Sequence, residues 1–183
     1  MNKLFLILSV SGLLFLVSCN SNSVSVHQQH CTTAQLLLEQ SDYPSETIFD
    51  EINSPIAEEP LESASRSVYY HDNWIGEILI RYPSIDRAHE VFAKRQESIF
   101  NPKEVHGMWE TPSELRLKNV SADQYEIACG NVKNFGDRCI MIGQYKEYFV
   151  LFNVDVSNND MTHEMIRDLI LKIDSRVSSC VNQ

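Results

Sequence analysis

The chain has 183 residues, 43% of them hydrophobic and 22% charged, and its 25 acidic side chains against 15 basic ones give a net charge of −10. That length supports one ordinary domain with a core of its own. The negative balance repels nucleic acid phosphates and anionic lipid headgroups, which excludes DNA or RNA binding and a polybasic membrane contact.

The first residues have the parts of an export leader: Lys3, an apolar run from Leu4 to Val17 interrupted by Ser9, Ser11 and Gly12, and small Ser18 before Cys19. The run is 14 residues long, short of the roughly 20 that span a bilayer as a helix. A cleaved leader is therefore expected rather than a retained span. Leu16-Val17-Ser18-Cys19 resembles the lipobox of bacterial lipoproteins. The resemblance implies a signal peptide of residues 1–18, cleavage before Cys19, and lipid (palmitate among its acyl chains) on the Cys19 sulfur. Two or more acyl chains hold a protein firmly on a membrane. Such proteins are kept at the inner membrane by an aspartate after the cysteine. Asn20 in its place implies the outer membrane, if the cell is Gram-negative.

Residues 19–30 are polar and rich in Ser and Asn, a flexible tether lifting the domain off the lipid surface. His27 and His30 lie close to Cys31, but histidines in a mobile tether are read as solvated rather than as metal ligands. Residues 31–183 are expected to form a single α+β domain.

With Cys19 lipidated, Cys31, Cys129, Cys139 and Cys180 remain, an even number that in an exported chain points to two disulfides. The absence of any Cys-x-x-Cys spacing argues against zinc. The pairing follows from the elements. A short helix over Thr32 to Leu38 starts with capping-box spacing, Thr32 to Gln35, and ends before Ser41-Asp42-Tyr43-Pro44, since Pro44 disfavours helix in the residue before it. Asn53 to Ser65, with Pro55, Pro60 and the glutamates Glu58, Glu59 and Glu62, reads as an exposed loop. Ser67–Tyr70 and Trp74–Tyr82 read as strands around a turn at His71-Asp72-Asn73, with Trp74, Ile78, Ile80 and Tyr82 on one face and Glu77 and Arg81 on the other. Ser84 opens a helix from Ile85 to about Ile99, with Ile85, Ala88, Phe92 and Ile99 as its buried stripe. Residues 101–113 read as a polar loop carrying Trp109.

Glu114–Val120, Gln124–Cys129, Arg138–Tyr145 and Tyr148–Val156 read as strands. Lys146-Glu147 makes a tight turn and Asn131 to Asp137 a long one. The strand from Tyr148 is apolar on both sides at its start, which predicts a central position in the sheet. If Cys129 stands opposite Cys139, then Ile127 meets Met141 and Tyr125 meets Gly143, all on one face. A last helix, about Met161 to Ser178 and capped by Asn159 or Asp160, carries Met165, Ile166, Leu169, Ile173, Val177 and Cys180 along one stripe. Cys180 then points inward, and chain ends often meet in a single domain. The expected disulfides are Cys129–Cys139 and Cys31–Cys180.

The order of elements predicts a twisted, mainly antiparallel sheet flanked by two or three helices. The segments Leu36-Leu37-Leu38 with Asp42-Tyr43-Pro44, Ile85-Asp86-Arg87-Ala88 with Phe92, and Cys139 to Tyr145 followed by an apolar strand and an amphipathic helix resemble small extracytoplasmic lipoprotein and sensor domains of the PsbP-like class. That resemblance implies a twisted sheet flanked by helices and a cleft for a ligand or partner.

No nucleophile elbow, zinc-protease motif, phosphate loop or dinucleotide fingerprint is present. His71-Asp72 has the residue types of a base and its orienting acid, but neighbours in a turn seldom face each other. No enzyme activity and no cofactor are expected. The expected function is a non-enzymatic ligand-binding or envelope-sensing lipoprotein, with Trp74, Trp109, Tyr69 and Tyr70 as candidate ligand-binding residues. The alternative is an envelope assembly or scaffold protein. The expected partners are the membrane, through lipid on Cys19, and either a small ligand or an envelope protein.

Overall fold

The chain folds as two antiparallel meanders stitched into one sheet, as described by a computed structural model for residues 31–55, 57–156 and 160–182. The expected signal peptide and tether, residues 1–30, and the candidate cap Asn159 lie outside the described residues. The first meander is β1 (Ile48–Phe49), β2 (Glu62–Tyr70) and β3 (Asn73–Arg81); the second is β4 (Val105–Glu110), β5 (Gln124–Val132), β6 (Gly136–Tyr145) and β7 (Tyr148–Asp155). They join where β3 pairs with β7, giving the seven-stranded order β1-β2-β3-β7-β6-β5-β4. The strand that begins at Tyr148 is thus central, as its two apolar sides predicted. Cys129 stands opposite Cys139, Ile127 opposite Met141 and Tyr125 opposite Gly143, the register expected from apolar pairing.

Helices cover both faces of the sheet. On one side, α1 (Thr33–Leu36) and α3 (His163–Val181) enclose the larger core, which includes Val68, Leu79, Met141, Phe152 and the α3 stripe Ile166, Leu169, Ile173 and Val177. On the other, α2 (Ile85–Ile99) sets Ala88, Val91 and Phe92 against Ile80, Tyr82, Ile142 and Phe149. Each start has its local cause. Thr32 and Gln35 make a reciprocal capping box at α1, the Ser84 hydroxyl accepts from Arg87 N–H at α2, and the Thr162 hydroxyl accepts from Met165 N–H at α3. Two disulfides, Cys31–Cys180 and Cys129–Cys139, brace this α+β domain.

Leu37 and Leu38, just after α1, are buried to 2% and 0% exposure, so their backbone groups need partners. Ionisable side chains supply them. Glu77 accepts from Leu38 N–H at 3.0 Å, Arg66 donates to Leu38 C=O at 2.9 Å, and Arg176 donates to Leu37 C=O at 2.9 Å. Glu77 itself is fully buried, so the face assigned to polar Glu77 and Arg81 is in fact the side of the larger core.

Several sequence expectations are corrected. β2 begins at Glu62, inside the stretch read as loop, because Glu-Ser-Ala-Ser-Arg has just one apolar residue, Ala64, to mark the buried face. Residues 105–110 form edge strand β4 rather than loop; a strand with one wet face and a register shift lacks clear alternation. Glu114–Val120 is not a strand: Ser113–Leu115 is a 3₁₀ turn that buries Leu115 beneath α3. The turn between β5 and β6 is three residues, 133–135, not seven, because Val132 and Gly136 still pair. The first helix stops at Leu36, and Ile85 is 50% exposed, with Val91 taking its place on the stripe. The last helix is capped by Thr162, not by Asp160.

Candidate functional site

Alternation along β3 sends Trp74, Gly76, Ile78 and Ile80 to the side covered by α2. Helix α2 covers one end of that face, the end of Ile80, Ile142 and Phe149. The other end, toward the β5–β6 turn, is left open. There the C-terminal turn of α2, β4 and that turn enclose a groove of about 500 Å³, with Ile99, Trp109 and Phe135 as walls and Arg138, Ile140 and Asn153 as floor. This size lies within the usual range of small-molecule sites.

Two close approaches shape the groove. A Cβ at Gly76 would lie 2.4 Å from the Trp74 ring, so the indole lies flat across glycine backbone. A Cβ at Gly130 would lie 3.2 Å from the Trp109 ring, so a second bare strand position makes room for the second indole. Trp109 Nε1 donates to Asn101 C=O at 3.3 Å, and its ring meets Phe100 edge-on with centroids 5.4 Å apart. Both contacts tie the β4 wall to the chain leaving α2.

Arg138 lies between two aromatic rings, its guanidinium carbon 5.0 Å from the Trp74 centroid and 4.9 Å from that of Phe135. Its Nε donates to Phe135 C=O at 3.3 Å. It makes no ion pair among the described residues, although Asp155 stands opposite it in the sheet register. Stacking fixes the guanidinium plane and leaves its edge as a donor fork suited to a carboxylate or another planar acceptor. Close by on the same face, Asn153 lies opposite both Gly76 and Ile140, and its Oδ1 is buried with no hydrogen-bond partner among the described residues.

The four aromatics singled out from sequence part company here. Tyr69 pairs with Trp74 across β2 and β3, so it shares their face and extends the aromatic surface toward exposed Ile48. Trp109 lines the groove, and Trp74 closes it through Arg138. Tyr70 points to the opposite side of the sheet, stacked on His71 at 4.3 Å and packed against the larger core. Arg138, Phe135 and Asn153 were not singled out. Phe135, apolar and 60% exposed in an Asn-Phe-Gly turn, was the one with a visible signal.

Elsewhere the chemistry is quiet. His71 meets Asp160 at 3.2 Å and Glu46 at 3.5 Å rather than its neighbour Asp72, and the bond to Asp160 pushes its pKa up. The sulfurs of Cys129 and Cys139 and a ring nitrogen of His163 lie within 4.8 Å of one another. The two sulfurs are joined to each other, which removes the thiolates a metal would need.

No family model and no curated protein matches the chain. Its fold is similar to that of the extracellular domain of PknH from Mycobacterium tuberculosis, with a TM-score of 0.50 and 11% identity over 85% of this chain and 98% of that one. At such identity the likeness is one of fold alone.

Proposed function

We propose that this chain is a lipid-anchored extracytoplasmic protein, without catalytic activity of its own, whose domain binds a small ligand in the groove beside α2. The carrying observation is the half-open sheet face, walled by Trp109 and Phe135, with Arg138 held between two rings on its floor. Two disulfides favour an oxidising compartment. The fold shared with an extracellular domain and the lipobox-like Leu16-Val17-Ser18-Cys19 support the same placement. Among the described residues no helix is long and apolar enough to cross a membrane.

Two measurements test the two halves of this reading. Intact mass of the chain from native membranes is expected to show loss of residues 1–18 and acyl chains on Cys19; a free Cys19 thiol with the leader attached overturns the anchor. A ligand that raises the melting temperature of the parent and fails to do so for Trp109→Ala supports the groove. A ligand whose effect survives that substitution binds elsewhere.

A second reading, an envelope scaffold, draws on Ile48 and Met108, 68% and 75% exposed near opposite edges of the sheet. Crosslinking at those residues in intact cells that captures an envelope protein, and is lost on Met108→Glu, would favour it.

A further inference from the structure

We infer that the groove selects a small organic acid of a definite pattern: a carboxylate for Arg138, a hydrogen-bond donor near it for Asn153, and an apolar body against Trp109. The inference rests on the reading of the groove as a ligand site and goes on to name the ligand's chemistry.

The charge argument comes first. In a chain of net charge −10 the groove's lining holds one cation, Arg138. An arginine placed merely to balance charge would pair with the carboxylate nearest in register, here Asp155. Arg138 instead reaches across β7 to Trp74 and makes no ion pair among the described residues. Its Nε is taken by Phe135 C=O, and its two terminal nitrogens make no hydrogen bond among the described residues. A guanidinium clamped by rings is preorganised, so little rotamer freedom is lost when a carboxylate docks on its edge.

The second argument is Asn153. An acceptor buried without a partner costs free energy unless something donates to it. Asn153 sits on β7 two residues from Asp155, the register partner of Arg138, so Asn153 and Arg138 are diagonal neighbours on one face. A ligand that reaches both has its donor a few bonds from its carboxylate, as in an N-acylated or 2-hydroxy acid. The third argument is the walls: Ile99, Trp109, Phe135 and Ile140 offer apolar surface, while Glu104 is the one acidic side chain of the lining and disfavours a second negative charge. The pattern is therefore a monoanion with an apolar tail.

A matched probe set tests this on the oxidised parent protein by calorimetric titration: N-acetylphenylalanine, its uncharged carboxamide, and 3-phenylpropionate, which lacks the amide donor. N-acetylphenylalanine is expected to bind at least tenfold tighter than the carboxamide and severalfold tighter than 3-phenylpropionate. Arg138→Gln is expected to erase the first preference, and Asn153→Ala the second. Equal affinity for acid and carboxamide in the parent overturns this inference while the groove reading stands, provided Trp109→Ala weakens both. Binding of none of the three overturns both. Because the first comparison needs no variant, a misfolded Arg138→Gln leaves the test intact.

Discussion

Glu77 is buried beneath Leu38 and Tyr43, and burial pushes its carboxyl up to about 7 against the lowering effects of the Leu38 N–H and of Arg66 and Arg176. Its ordinary value is 4.5, so the folded state holds the proton over a window in which the unfolded chain has released it. The favourable contribution is whole below about 4.5 and is lost as pH rises through about 7. The shift corresponds to roughly 3 kcal/mol. Glu77→Gln keeps an acceptor for Leu38 and cannot ionise. Urea unfolding at pH 4.5 and pH 8 is therefore expected to show the variant gaining on the parent by about that amount at the higher pH. A constant difference between the two would contradict it. His71, whose pKa is raised by Asp160, loses its ion pairs in the same direction, which is why the variant-minus-parent difference is the quantity to read. At the same scale, Gly76→Ala would drive a methyl into the Trp74 ring and displace the indole. The Trp74 emission maximum is expected to shift to the red with the sheet intact by circular dichroism.

Among the elements, α3 is the longest helix described and its start rests on one hydroxyl, Thr162, accepting from Met165 N–H. Removing an N-cap of this kind costs about 1 kcal/mol. Thr162→Ala is expected to lower unfolding stability by that amount, whereas Asp160→Ala, the cap expected from sequence, should not produce a capping loss. Strand β4 shows the opposite kind of element. It pairs along one side with β5 through an irregular register and is held from below by Trp109 against Phe100. Its place in the sheet depends on those packing contacts more than on strand propensity, and such edges open first in amide exchange. Trp109→Ala is expected to raise exchange at residues 105–110 while that of central β7 is unchanged.

Across the whole molecule the Cys31–Cys180 disulfide spans 149 residues and Cys129–Cys139 spans 10. Loop-closure entropy assigns about 5 kcal/mol to the first and about 2.7 kcal/mol to the second. The double variant Cys31→Ser/Cys180→Ser is therefore expected to lose more stability in urea than Cys129→Ser/Cys139→Ser. The reverse order would show that local strand geometry, not chain closure, governs the effect. The long disulfide also fastens the first described residue to the end of α3, so a pull on the expected lipid tether is borne by the core rather than by a frayed terminus.

The sequence by itself determined what depends on near neighbours: the capping box at Thr32, the Ser84 start of α2 and its end near Ile99, the β5–β6 register, and the central, two-sided character of β7. These are legible because period, propensity and turn chemistry act within a few residues. It misread what local signals leave undecided: polar β2, edge strand β4, and the burial of Glu77, whose partners Leu38, Arg66 and Arg176 come from three distant segments. The candidate site belongs to this second class. Trp74 and Trp109 could be named from sequence, with Tyr69 and Tyr70, as a set of aromatics, but nothing nearby marks Arg138 or Asn153. Only the pairing of β3 with β7 brings Trp74 within reach of Arg138, and only the length of α2 leaves that end of the sheet open. A groove is the gap between elements, and no single element's sequence encodes where its neighbour stops.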